Sequence, residues 1–328
     1  MSGAEGRFDA RDNRDLRPCL VGGRRPRLEP DTPTEGEDAV TTPVVVGIDD
    51  LDQSPHALQL AVREAELRGA PLWIAHAYHR APQAVTGDAG TPTEQAVPEP
   101  ATEPLGGALK QVRADHPDLQ VRGYALSGPP APALATLAQG ASLLVVGHRG
   151  RGGFAGMLLG SVALRAVARV RCPVAVARGS RRAMNRVLVG IDVNEATGGR
   201  AQLGFAFAEA VLRDAGLAVL HTWEDQGAFH PDPTGDYTRD HLTALVADHR
   251  RRVETVLEPW RDAHPDIAVE ILVEGGSAAR HLVDASAHAD LLVIGGRPDR
   301  DGQGMRLGGL AYALLHHARC PVVVVPER

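Results

Sequence analysis

The residues best suited to chemistry lie in one run: Gly147-His148-Arg149-Gly150-Arg151-Gly152-Gly153-Phe154-Ala155-Gly156-Met157-Leu158-Leu159-Gly160-Ser161. Glycines let a backbone approach a ligand closely and adopt positive φ. Successive N–H groups in such a turn form a nest for anionic oxygens. Gly160-Ser161 then opens a predicted helix, whose first N–H groups lack intrahelical partners and whose dipole favours an anion. That dipole contributes ~0.3–2 kcal/mol, so several donors must act together. The Ser161 hydroxyl can cap its helix or donate to a phosphate. Arg149 can pair with phosphate charge, or stand as a solvated surface arginine. Taken alone, the run reads equally well as an anion cradle and as a flexible connection.

Position narrows the choice, because ligands of open parallel sheets sit beyond the carboxyl ends of the strands. Pro43 to Asp49 reads as a buried strand, short, Val-rich and bounded by turn residues. Ser54-Pro55 reads as an N-cap followed by proline at the first helical position. Ala57, Leu58, Ala61, Val62 and Ala65 have helical spacing, and Gly69 ends the helix. Leu72 to Tyr78 is the next strand. Pro82 to Pro104 lacks periodicity and reads as a loop. A helix over Leu105 to Ala114, a strand over Gln120 to Leu126, and a helix around Pro132 to Leu137 follow. A strand over Leu143 to Val146, a helix over Ser161 to Arg169 and a last strand over Val174 to Ala177 complete the series. This alternation predicts an α/β fold, a doubly wound parallel sheet with helices on both faces. Asp49, Ala77 with Tyr78, and the glycine run all follow strands.

The series then repeats. Val45-Val46-Gly47-Ile48-Asp49 returns as Leu188-Val189-Gly190-Ile191-Asp192, His76 as His221, and His116-Pro117-Asp118 as His264-Pro265-Asp266. From Gly147 to Val176 the offset holds at 148, and 12 of 30 positions are identical, too many for coincidence. The length of 328 residues suits two domains at ~150 residues each. The expected organisation is a disordered tail over 1–42, too poor in apolar residues to offset its ordering entropy. A first domain over 43–180 and a second over 185–328 follow it. In the second, the longest helix is expected at about Thr238 to Ala263.

Gly147-x2-Gly150-x9-Gly160-Ser161 resembles the nucleotide motif of the universal stress protein family, G-x2-G-x9-G-S/T, without a mismatch. Val46-Gly47-Ile48-Asp49, Glu64-Ala65, Arg68-Gly69-Ala70, His76, Gly128-Pro129 and Cys172-Pro173-Val174 are similar to the family's surrounding text. The resemblance covers about residues 43–178 and 185–326. It implies two Rossmann-like sandwiches of the adenine nucleotide alpha hydrolase-like kind and ATP as the ligand, with or without Mg2+. By the same resemblance, Asp49 and the backbone at Ala77 hold base and ribose. Gly147, Gly150, Gly160 and Ser161, followed by Val162, hold phosphates, with Arg149 among them. The resemblance further implies that the apolar final strands pair the two domains into an internal pseudo-dimer, with a homodimer of chains also open.

The second copy departs from the motif. Pro298 stands where the first has Gly150, and proline offers no N–H. Gly309 replaces Ser161 and removes a hydroxyl. Asp299 and Asp301 bring negative charge. The expectation is that this copy binds ATP weakly or not at all and serves chiefly as a partner for the first.

Other chemistry is set aside. There is no G-x4-G-K-S/T and no G-x-S-x-G elbow. Gly150 to Ala155 matches a loose dinucleotide form, but it follows the fourth strand and no acidic residue ends a strand ~20 residues on. No Cys/His cluster has zinc spacing. His76 and His221 read as packed structural groups, and Cys172 and Cys320 as small buried apolar ones. The 35 basic against 41 acidic residues argue against general nucleic-acid binding. No apolar run approaches the ~18–20 residues of a membrane span. With no secretory signal in the first thirty residues and only three scattered cysteines, a cytoplasmic setting is expected. The resulting reading is a nucleotide-responsive stress sensor or regulator, not an enzyme. Its rivals are a non-nucleotide interaction protein of this fold and a slow ATPase.

Overall fold

The computed structural model describes residues 16–19, 42–49, 55–78, 99–148, 159–179, 183–194, 199–223, 239–298 and 305–327. In chain order the first half contains β1 (Leu16–Cys19), β2 (Val44–Ile48), α1 (Pro55–Arg68), β3 (Leu72–Tyr78), α2 (Glu99–Asp115) and β4 (Val121–Ser127). It continues with α3 (Pro130–Leu137), β5 (Leu143–Gly147), α4 (Ser161–Val167) and β6 (Val174–Ala177). The second half opens with β7 (Arg186–Ile191), α5 (Arg200–Arg213), β8 (Gly216–Trp223), α6 (Arg239–Ala263) and β9 (Val269–Gly275). It closes with α7 (Ala278–Ala285), β10 (Leu291–Pro298), β11 (Met305–Arg306), α8 (Gly309–His317) and β12 (Val322–Pro326).

The strands form one sheet in the order β1-β4-β3-β2-β5-β6-β12-β10-β7-β8-β9, with β11 paired to β10. Apart from the short antiparallel pair of β10 with β11, pairing is parallel within each half. At the centre, β6 and β12 pair antiparallel, Val176 opposite Val322 and Val174 opposite Val324. Two fully apolar edges, each with unpaired backbone groups, thereby satisfy one another.

Side-chain alternation divides the core into two layers. Val44, Val46 and Ile48 belong to one layer, which continues through Leu58 of α1 and Leu109 of α2 to Phe207 of α5 and Val253 of α6 in the second half. Val45 belongs to the layer on the opposite face, which includes Leu134 of α3 and Ala163 of α4 and continues to Leu282 of α7 and Leu314 of α8 in the second half. The sheet is thus covered on both faces, as its continuous apolar strands require.

In the first half, two elements differ from expectation. Helix α2 begins at Glu99, inside the stretch read as a loop to Pro104, and Pro104 lies within it. Burial of Leu105, Ala108, Leu109 and Val112 against the sheet outweighs the hydrogen bond that proline forgoes. In the leading segment, where the sequence offers no element, Leu16–Cys19 lies parallel to Gly123–Leu126 at the sheet edge. An edge strand offers unpaired backbone groups to any extended segment, whatever its side chains. The rest of residues 1–41 lies outside the described residues.

Among the described residues, further contacts besides β6–β12 tie the halves together. Glu64 and Arg68 of α1 meet Glu209 and Arg213 of α5 in a closed square of ion pairs, each glutamate bonded to both arginines. All four side chains are nearly or fully buried. Arg178, just past β6, donates to the carbonyls of Leu314 (3.0 Å), Leu315 (2.5 Å) and His316 (2.7 Å). It places a cation on the negative end of α8. Finally, Gly179 has φ +76°, and a Cβ there would lie 2.0 Å from the carbonyl oxygen of Arg319. Gly179→Ala combines a left-handed backbone with a backbone clash. It is expected to cost at least about 2 kcal/mol, read as a lowered urea midpoint with unchanged slope.

Candidate functional site

In the first half the winding reverses between β2 and β5. These strands are neighbours, Gly47 opposite Val146, yet β2 leads to α1 on one face and β5 to α4 on the other. A crevice opens at such a point, beyond the carboxyl ends. Asp49, half-buried, follows β2, and Ala77, also half-buried, lies near the end of β3 beside Leu126. Gly147 ends β5 opposite Ala177. His76 bonds through Nδ1 to the carbonyl of Ile48 at 3.1 Å, pinning β3 to the end of β2 next to Asp49. This is the structural role expected of it.

The two ends of the glycine run are clipped together. The Gly160 N–H donates to the carbonyl of His148 at 2.6 Å, and the His148 N–H donates to Ala177 at 3.2 Å. Gly160 therefore serves as a hinge and N-cap, not as a free anion donor. The first intrahelical bond of α4 runs from the Leu164 N–H to the Gly160 carbonyl. The N–H groups of Ser161, Val162 and Ala163 precede it and have no acceptor within the helix. Ser161, the first residue of α4, is exposed, and Val162 packs partly on the core. Arg149 and Gly150 lie outside the described residues, as do Arg151 to Leu158.

The second half presents the corresponding crevice as a pocket of about 320 Å³. Its lining includes Asp192, Thr222, Gly295, Gly308 and Gly309, the counterparts of Asp49, Ala77, Gly147, Gly160 and Ser161. Here β10 runs on to Pro298 and pairs antiparallel with β11, Arg297 opposite Arg306 and Pro298 opposite Met305. A short ribbon thus occupies the position of the glycine loop, as suits a proline with fixed φ. The Met305 N–H donates to the carbonyl of Ala168, at the end of α4, at 3.3 Å. Asp299 and Asp301 are outside the described residues.

Two residues of this pocket escape a search for motifs. Gln202 on α5 is 3% exposed, and its Oε1 has no hydrogen-bond partner. Its amide lies against Gly199 and Gly295, so close that a Cβ at Gly295 would be 2.9 Å from Oε1. Arg306 lines the rim and is exposed. Alignment of the two copies contains the signal: Gln202 replaces Ala57 and Arg306 replaces Leu158.

Beside the pocket, His221 is fully buried, bonded by Nδ1 to Ile191 at 3.3 Å and by Nε2 to Nδ1 of His249 at 3.0 Å. Burial lowers the pKa of both, with the neighbouring His221 adding to the effect at His249. Cys172 and Cys320 are buried free thiols. Burial pushes them up to about 11 and about 12, so they remain protonated and packed. Among the described residues no helix is long and apolar enough to cross a membrane.

The fold has known counterparts. A universal stress protein from Archaeoglobus fulgidus DSM 4304 superimposes with a TM-score of 0.55 at 16% identity, covering 87% of this chain and 98% of that one. In sequence, Universal stress protein Rv2005c of Mycobacterium tuberculosis (strain ATCC 25618 / H37Rv) is 31% identical over 301 residues, 87% of this chain and 97% of the relative. Universal stress protein Rv2623 of the same strain is 30% identical over 303 residues, 87% and 96% of the two chains. The model of the Universal stress protein family matches twice, at residues 41–178 and 184–326. With both halves of the sheet matched in turn, the chain belongs to the universal stress protein family, in its tandem two-domain form.

Proposed function

We propose that the first domain, over 43–180, binds an adenine nucleotide, ATP, and that the protein acts as a nucleotide-responsive regulator. The observation that carries this reading is the unbroken G-x2-G-x9-G-S motif placed at the switch point between β2 and β5. Gly147 and Ser161 stand at its two ends, and the clip from Gly160 to His148 returns the loop to its start. Asp49 and the backbone of Ala77 supply the base and ribose end, while Ser161, Val162 and the loop supply phosphate donors. Arg149 adds charge for a phosphate. These groups are suited to binding, and among the described residues of the site no nucleophile–base pair is seen, which supports a sensor over a catalyst. A Mg2+ ion, where it accompanies ATP, would neutralise phosphate charge.

The second domain, over 185–328, is proposed to leave ATP unbound. Its ribbon replaces the nest, and the amide of Gln202 stands over Gly295, where the first domain has only Ala57. Calorimetry at physiological salt, with and without Mg2+, is expected to give one ATP per chain. Two equivalent sites per chain would contradict the assignment, and no binding would favour an interaction protein of the same fold. Steady phosphate release that survives rigorous purification and is lost in Asp49→Ala would favour the slow ATPase.

A further inference from the structure

The pocket of the second domain has kept its walls while losing its motif. Its floor carries an amide oxygen without a hydrogen-bond partner: Gln202 is 3% exposed and its Oε1 is unpartnered, although the side chain lines an open pocket. A buried carbonyl oxygen left unpaired costs about 1–3 kcal/mol, so a residue retained there calls for a partner from outside. At the opposite wall, Gly308 caps α8 and the first intrahelical bond runs from Tyr312 to Gly308. The N–H groups of Gly309, Leu310 and Ala311 precede that bond, and all three residues line the pocket. No atom lies within 4 Å of where a Cβ would stand at Gly308 or Gly309. Arg306 adds an exposed cation at the rim, directly across the ladder from Arg297. Like charges in that relation repel, and an anion beside them relieves the repulsion.

We propose that this pocket binds a sugar phosphate: a single phosphate at the N-terminus of α8 and Arg306, with the hydroxylated body against Gln202, Thr222 and Asp192. Asp192 accepts from hydroxyls and repels further negative charge. Gln202 both donates and accepts, as a hydroxyl requires. The charge balance limits the ligand to one phosphate, since Arg297 and Arg306 face Asp192 and Glu327, and Arg297 and Glu327 each have a further interaction. The volume agrees, at the lower end of the ~300–1,000 Å³ usual for small-molecule sites. Gln202 also covers Gly295, so the phosphate is displaced toward α8 and away from the strand end.

The test uses the full chain and two probes, ribose 5-phosphate and AMP, titrated calorimetrically with and without saturating ATP. Under the proposal, at least one probe binds at one site per chain and ATP does not displace it. Ribose 5-phosphate binding shows that the free sugar phosphate suffices. AMP binding alone assigns the sugar to a nucleoside. Either affinity is expected to fall at least about tenfold in Gln202→Met and in Arg306→Ala, while ATP binding by these variants is unchanged. Gln202→Met removes an unpaired buried amide at nearly constant shape, so its Tm is expected to hold or rise. Failure of both probes to bind the unaltered chain overturns the proposal. So does binding that survives both substitutions, or displacement by ATP, which would move the probe to the first domain. If the first domain binds no ATP at all, the titration without ATP still reads the second pocket.

Discussion

The double change Gly160→Ala/Ser161→Ala is expected to lower the affinity of the chain for ATP by about 100-fold in calorimetry. A hydrogen bond to a charged group contributes about 1.5–3 kcal/mol, and about 1.4 kcal/mol is tenfold in affinity. The Ser161 hydroxyl alone thus accounts for roughly one to two decades. A methyl group on Gly160, at the end of the loop, adds steric exclusion of a phosphate. The fold is expected to survive, because Gly160 has φ −75° and ψ 148°, which alanine adopts freely, and Ser161 is exposed. An unchanged circular dichroism spectrum and Tm separate loss of the site from loss of structure. The matching change at Gly308 and Gly309 should leave ATP affinity untouched. Retention of ATP binding within about threefold by the double variant would remove the loop from the site.

Glu209→Ala is expected to destabilise the chain by about 3–5 kcal/mol, because it strands Arg68 and Arg213 in the interior without half of their partners. The same square gives stability a pH dependence. Burial, and then the charge of Glu64, push Glu209 up to about 7 from its ordinary 4.5, against the pull of Arg213 and Arg68. The folded chain therefore holds a proton that the unfolded chain releases between about 4.5 and about 7. This group's stabilisation is full below the lower value and is lost as pH rises through the upper one. The slope reaches at most about 1.4 kcal/mol per pH unit. Glu209→Gln, which keeps the shape and cannot ionise, should flatten the difference between urea midpoints measured at pH 5 and pH 7.5. An unchanged difference would show that Glu209 does not carry the dependence.

Much of this molecule is legible in its residues. The strands over Leu72–Tyr78 and Val174–Ala177 follow directly from short apolar runs between turn signals. The repeat gives the second half its order, and the glycine spacing marks where the first site is proposed. What escapes is what depends on the third dimension. The start of α2 is set by burial against the sheet, which a Pro-rich stretch does not advertise. In the second copy β10 runs on to Pro298 and pairs with β11, whereas β5 of the first copy ends at Gly147, a difference that the substitution of proline for Gly150 does not announce. Glu64 and Glu209 look like ordinary helical glutamates until α1 and α5 are laid side by side. Gln202 shows only as a mismatch with Ala57, and only its unpartnered buried oxygen gives that mismatch chemical meaning.

The antiparallel junction of β6 with β12 also sets a direction. Strands of one half run opposite to those of the other, so the two crevices open from opposite rims of the slab. No molecule bound in one can reach into the other, and no single flat protein laid on one rim can cover both. Under the proposed nucleotide reading, a partner docked at the first mouth would leave the second exposed.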